Sequence, residues 1–233
     1  MAEKFDINTE EMAKAGLQFG HRTSRVHPQM KPYIFGAKNT IHLIDLEKSA
    51  EKLREALDFI KKIISEKKTL LLIGTKIQIK DLVKQTAQEC QLPYVNERWL
   101  GGTITNFETI KKRITYFKDL ENKKKMGELA KYTKKERAKI DKELKDLEVK
   151  FEGIKNLEKI PEVIFVLDMK KDELAVKEAK KKGVSVIGIA DTNINPKLAD
   201  YPIPANDDAI SSVKYILERV KEVICQTLNK SKS

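Results

Sequence analysis

The chain has 233 residues, of which 46 are Lys or Arg and 35 are Asp or Glu, giving a formal net charge of +11. That length suits one large domain, or a domain with an excursion, and the surplus charge favours a polyanionic partner. An aromatic content of 6% argues against a platform that stacks single-stranded bases, which needs exposed rings, and leaves structured RNA held by its phosphates as the better fit.

Cys90 and Cys225 lie far apart without metal-ligand spacing, which points to a reducing compartment. The start, M-A-E-K-F-D-I-N-T-E, has no apolar run of the signal-peptide kind. No segment approaches the roughly 20 apolar residues of a membrane span. The expected setting is cytoplasmic, with no membrane partner.

In chain order, N-T-E-E opens a short helix over residues 8–18, capped by Asn8 or Thr9. Gly16 and Gly20 break it. An irregular basic loop follows, with two prolines and the cations Arg22, Arg25, Lys31 and Lys38. No acid lies between His21 and Lys38, so this loop is a candidate for phosphate contact. Residues 33–35 and 41–44 read as short strands around a G-A-K-N turn. Residues 47–66 repeat apolar side chains at three and four, as a helix does. T-L-L-L-I-G-T-K is a short apolar run ending in Gly, the pattern of a parallel strand buried on both faces. A helix over about 78–90 and a short strand at 92–95 follow.

Residues 96–107, N-E-R-W-L-G-G-T-I-T-N-F, hold the only Trp, Trp99, beside Arg98 and the pair Gly101 and Gly102. This stretch reads as a joint, because Gly reaches backbone angles closed to other residues. Thr105 or Asn106 is the expected cap of the next helix. That helix, 106–124, steps through Phe107, Ile110, Ile114 and Phe117. A second starts at the capping box Thr133 and Glu136 and steps through Ile140, Leu144, Leu147, Phe151 and Ile154. These are heptad seams, and the pair reads as an antiparallel coiled-coil hairpin. Its cations fall in blocks, Lys111, Lys112 and Arg113, Lys123, Lys124 and Lys125, and Lys134 and Lys135, suited to a polyanion or an acidic partner.

Alternation then resumes. I-P-E-V-I-F-V-L-D is a buried strand, 171–182 a helix with a basic last turn, and V-S-V-I-G-I-A-D another strand. Y-P-I-P is an extended edge piece. N-D-D opens the last helix. Strands and crossover helices in this order predict a parallel sheet covered on both faces. The expected units are a discontinuous α/β domain over 1–105 and 158–226, an inserted hairpin over 106–157, and a polar tail over 227–233.

No dinucleotide fingerprint, Walker loop or nucleophile elbow is present. Gly74-Thr75-Lys76 follows a strand, where a helix start could hold a phosphate of RNA as well as of a nucleotide. Carboxyl ends of parallel strands gather ligand groups. Asp191, Asp207 and Asp208 fall there, and with His21 they form a candidate set for a structural divalent ion. The competing reading is that Asp191 orders its loop while Asp207 and Asp208 suit the last helix's N-terminus.

Five ordered blocks carry a resemblance: A-G-L-Q-F-G-H-R-T at 15–23, M-K-P-Y-I-F-G at 30–36, I-H-L-I-D-L at 41–46, the 96–107 stretch, and D-T-N-I-N-P with Y-P-I-P-A-N-D-D-A-I at 191–210. On these the chain resembles the bacterial small-subunit ribosomal protein S-two family over nearly its whole length. It departs from that pattern at V-H-P-Q-M, residues 26–30, and at I-Q-I, residues 77–79. The resemblance implies a flavodoxin- or Rossmann-like α/β domain with a protruding coiled-coil hairpin. It implies a place on the small ribosomal subunit, contact with its ribosomal RNA and neighbouring proteins, and help in anchoring the messenger-binding ribosomal protein number one. The function expected is therefore structural, in translation, with no catalysis, no required cofactor and no small-molecule substrate. Expected RNA contacts are Arg22, Arg25, Lys31, Lys38, Lys76, Arg98, Lys111, Lys112, Arg113, Lys123, Lys124 and Lys125. The rival readings are a protein-only adaptor docking partners through its hairpin, and a nucleotide-dependent enzyme.

Overall fold

The computed structural model describes residues 7–230. Helix α1 (Thr9–Ala15) is capped by the Asn8 side chain, which accepts from the Glu10 N–H, and it ends on Gly16 in the left-handed region. Strand β1 (Phe19–Arg22) is followed by two 3-10 turns, Thr23–Arg25 and Pro28–Tyr33. Strands β2 (Ile34–Lys38) and β3 (Ile41–Ile44) complete a small antiparallel sheet in the order β1-β3-β2. The basic segment is thus more ordered than its sequence suggests. F-G-H-R lacks a hydrophobic alternation because β1 is a short, irregularly registered edge strand that stays mostly at the surface. Asn39 and Thr40 both have positive φ, 48° and 64°, as a two-residue turn between right-twisted strands requires.

Next come α2 (Leu46–Ser65), β4 (Leu70–Ile73), α3 (Lys80–Glu89), β5 (Tyr94–Val95), α4 (Phe107–Lys125), α5 (Lys134–Phe151), β6 (Val163–Val166), α6 (Glu173–Lys182), β7 (Ser185–Ala190), β8 (Tyr201–Pro204) and α7 (Ile210–Lys230). The five strands β4 to β8 form one parallel sheet in the order β5-β4-β6-β7-β8. Counted along these five strands the order is 2-1-3-4-5, the flavodoxin-like variant of the doubly wound α/β fold.

Side chains alternate between two cores. Leu70, Leu72, Phe165, Ile187 and Ile203 face the layer of α1, α2, α3 and α7. Leu71, Ile73, Ile164, Val166 and Val186 face α6, Trp99 and the bases of α4 and α5. Both faces of β4 and β6 are buried throughout, which is why these strands read as unbroken apolar runs. β8 lies at the sheet edge, where its prolines cost no ladder bond.

Helices α4 and α5 pack through Ile114, Phe117 and Leu120 against Leu144, Leu147 and Phe151. The capping box at Thr133 and Glu136 is present. Lys124 pairs with Asp141 at 2.6 Å near the distal end. At the proximal end Phe107 and Phe151 share the Trp99 core, so the helices run antiparallel. Gly153 lies against Tyr94 so closely that a Cβ would strike the Tyr94 carbonyl oxygen. A glycine there lets the returning chain lie on the sheet's edge strand.

Two boundaries differ from the sequence reading. The Asn106 side chain makes no capping bond to α4's backbone; its Oδ1 instead accepts from the Thr109 hydroxyl. α7 continues through residues 227–230, where Thr227 is buried and donates to the Val223 carbonyl. The remainder of the proposed tail, 231–233, lies outside the described residues.

Candidate functional site

The 96–107 joint is built on a residue from another element. Glu178 of α6 is 6% exposed. Its Oε1 accepts from Trp99 Nε1 at 3.2 Å and Gly102 N at 2.7 Å, while Oε2 accepts from Ile104 N, Thr105 N and the Thr105 hydroxyl, each at 3.0 Å. Gly102 has φ +93°, which turns its N–H onto the carboxylate at low steric cost. Burial pushes the Glu178 pKa up, but the N–H groups of Thr105, Gly102, Ile104 and Trp99 outweigh it and hold the pKa below the usual carboxylate range. Trp99 is buried, whereas Arg98 beside it is exposed. Glu178 was readable only as an acid three residues after Ala175, on α6's apolar stripe.

The carboxyl edge of the sheet, the usual ligand crevice of this fold, is filled by the protein's own charges. Lys76 Nζ lies 2.8 Å from Asp168, 2.7 Å from Asp207 and 2.8 Å from Asp208, and donates to the Asp207 carbonyl at 3.0 Å. Burial lowers the Lys76 pKa, but Asp207, Asp168 and Asp208 together raise it well above its ordinary value. Thr75 donates its hydroxyl to Asp172 at 2.8 Å, and Lys171 Nζ donates to the Thr75 carbonyl at 2.8 Å. Lys76 is therefore an internal counter-ion. This corrects its reading as a phosphate contact, because its donors are already committed to carboxylates. Asp172 and Lys171 had no local signal in the sequence, whereas Asp168 ends the I-P-E-V-I-F-V-L-D strand at the sheet's carboxyl edge.

Beside this cluster, His21 Nδ1 lies 3.1 Å from Asp191 and its Nε2 lies 3.5 Å from Asp208. The hydrogen bond to Asp191 raises the His21 pKa against the pull of burial. Asn193 Nδ2 is 2.8 Å from His21 Nε2 while Asn193 Oδ1 is buried without a partner. Exchanging the amide O and N would give an imidazolium N–H an acceptor. Of the four residues in the candidate ion set, His21, Asp191 and Asp208 converge to within 4.8 Å, and Asp207 instead turns to Lys76. β1 reaches this edge because Gly20 carries no side chain: a Cβ there would stand 2.5 Å from Thr192 Cγ2. Thr192 also accepts from the N–H groups of His21 (2.9 Å, hydroxyl) and His27 (2.8 Å, carbonyl).

The remaining cations are at the surface. Arg22, Arg25, Lys31 and Lys38 are exposed, and the first two line a cleft with His21, Ser24 and Asp208. Lys111, Lys112 and Arg113 are exposed near the base of α4, and Lys123, Lys124 and Lys125 at its far end, roughly 18 Å along the helix by the rise per residue. Lys124 and Lys125 pair with Asp141 and Glu121. The small sheet also exposes Phe19, Phe35 and Ile41, with Phe35 80% exposed, a feature its alternation did not announce.

The chain is thus a doubly wound α/β protein whose carboxyl-edge crevice is filled by its own lysine and which carries a charged helical arm. The family model described as ribosomal protein S2 matches residues 12–227. The chain is 46% identical over 220 residues to the small ribosomal subunit protein uS2 of Dictyoglomus thermophilum, spanning 94% of this chain and 89% of that one. It is 44% identical over 223 residues to uS2c of Rhodomonas salina, spanning 96% and 92%, and 40% identical over 220 residues to uS2 of Coprothermobacter proteolyticus, spanning 94% and 82%. The chain belongs to the ribosomal protein S2 family. It is a structural, non-enzymatic component of the small ribosomal subunit, works in translation, and resides in the ribosome in the cytoplasm. No helix among the described residues is long and apolar enough to cross a membrane.

Proposed function

We propose that the chain holds small-subunit ribosomal RNA by its phosphates, through Arg22, Arg25, Lys31, Lys38 and Arg98 and through the arm's Lys111, Lys112, Arg113, Lys123, Lys124 and Lys125. The observation that carries this is the state of the cations. Among the described residues Arg22, Arg25, Lys31, Lys38, Arg98, Lys111, Lys112, Arg113 and Lys123 are exposed and in no ion pair, whereas Lys76 is half-buried and fully engaged. In this reading 106–157 is a coiled-coil arm set into a discontinuous domain formed by 1–105 and 158–226. Neutralised phosphates release counterions, so six or more contacts imply a loss of roughly a thousandfold or more in affinity between 50 and 200 mM salt. Binding of the purified protein to subunits depleted of it, measured across that range, tests the proposal. An affinity indifferent to salt overturns it.

The exposed apolar face of the small sheet favours a protein partner beside the RNA. Phe19 and Leu43 are cross-strand neighbours, and Phe35 stands out of the register irregularity in β2. We assign this face to neighbouring ribosomal proteins, including the messenger-binding protein number one. Phe35→Ala should release that protein from sedimenting subunits while the variant itself still sediments with them. Retention of both proteins refutes the assignment. The set His21, Asp191 and Asp208 offers one imidazole nitrogen and two carboxylates, a donor set suited to a divalent ion such as Zn2+. Titration of the purified protein with Zn2+, compared with Asp191→Asn, tests that reading. Equal uptake by the two proteins excludes it.

A further inference from the structure

The only two cysteines in the chain come from distant parts of the sequence and meet in the fold. Cys90 caps the C-terminus of α3 and Cys225 lies on α7, and these two helices pack against each other on the same face of the sheet. The contact is pinned one turn away, where Lys221 of α7 pairs with Glu89, the residue before Cys90. The thiols differ in access. Cys90 is 2% exposed, and Cys225 is partly exposed. The Cys90 pKa is pushed up to about 12, first by burial and then by the adjacent Cys225 thiol. The Lys221 ammonium is close enough to feel both sulfurs.

We infer that Cys90 and Cys225 are a reversible dithiol–disulfide pair that fastens the end of α3 to α7 when the protein meets a hydroperoxide. Cys225 is the sulfur that solvent reaches first. Its thiolate attacks one oxygen of hydrogen peroxide; the O–O bond breaks, a sulfenic acid forms, and the departing hydroxide takes a proton and leaves as water. Cys90 then loses its proton and attacks the Cys225 sulfur. The S–O bond breaks, the S–S bond forms, and a second water leaves. Two electrons have passed from the thiols to the peroxide. Burial slows Cys90 as an attacking group, but proximity offsets this, because its only target is the sulfur beside it. The bond closes a loop that holds the whole arm and four of the five strands of the main sheet, so it narrows the unfolded ensemble strongly.

The test uses the full chain, reduced and then given one equivalent of hydrogen peroxide. The expected product is a monomer about 2 Da lighter, with one linked Cys90–Cys225 peptide pair after digestion. Its melting temperature should rise on the order of 5 °C or more and return on reduction. Cys90→Ser should stop at a Cys225 sulfenic acid that dimedone traps, and Cys225→Ser should leave Cys90 unmodified. The inference fails if native protein accumulates over-oxidised Cys225 without the linked pair. It fails equally if linkage appears only between chains, or only after urea has unfolded the protein.

Discussion

Trp99 and Glu178, 79 positions apart, share a buried hydrogen bond of 3.2 Å from indole Nε1 to Oε1. The same carboxylate collects the N–H groups of Gly102, Ile104 and Thr105. One side chain of α6 thus sets the path by which the backbone leaves the sheet and enters α4. Removing it strands several buried donors at once.

Glu178→Ala should therefore cost roughly 2–4 kcal/mol in global stability, the scale of several unsatisfied buried donors. Denaturant unfolding followed by Trp99 fluorescence measures this directly, since Trp99 is the single indole. A loss below about 0.5 kcal/mol, the ordinary range for surface changes, would mean that the joint is held by its apolar contacts instead.

The same residue predicts an acid dependence. The folded pKa of Glu178 is depressed. Its stabilisation is then complete above the unfolded carboxylate value of about 4.3 and fades as pH falls through the lower folded value. Glu178→Gln should flatten that part of the stability curve below about pH 4.3. Parallel acid titrations of the two proteins, compared by their difference, provide the check.

Lys76→Ala should behave as a core defect rather than as a lost phosphate contact. It leaves Asp168 and Asp207 buried without their counter-ion, a change worth about 3–5 kcal/mol. The slope of log affinity against log salt, measured on subunits, should stay as it is. Lys112→Ala should do the reverse, reducing that slope by about 1 while leaving stability within roughly 0.5 kcal/mol.

Gly20→Ala should loosen the small sheet from the main one. The added methyl would strike the Thr192 side chain and crowd Asp191 Oδ1 at 3.3 Å, and overpacking of that kind costs about 1–3 kcal/mol. Hydrogen exchange should show faster opening at the His21 and His27 amides, which donate to Thr192, with β4 and β6 unaffected.

What could be read from the residues alone follows the range of the forces involved. Leu70–Ile73 and Val163–Val166 declare themselves because a strand buried on both faces has no polar position. The capping box at Thr133 and the apolar seam of α4 and α5 are local, and both were legible. The partners of Lys76 come from the ends of two other strands, so Gly74-Thr75-Lys76 looked like an open phosphate site when it is a filled one. Glu178 was missed for the same reason: its meaning lies in a loop 70 to 80 positions earlier. β1 was read as loop because four mostly exposed residues at an edge carry no period.

The placement of α4 and α5 between β5 and β6 also bears on the order of assembly. β6 pairs with β4, and every residue of both helices separates the two strands along the chain. Closing that pair through a slack loop would be slow, since distant contacts carry their entropic cost before any reward. The helix pair is a local structure, able to zip within its own segment and bring Phe107 and Phe151 to the same end. On a ribosome making this chain, β4 must wait for the arm to emerge, and the arm's closure then delivers β6 to its place beside β4. The element read here as a handle for RNA thereby doubles as a template for the sheet, and weakening its seam should slow refolding more than it speeds unfolding.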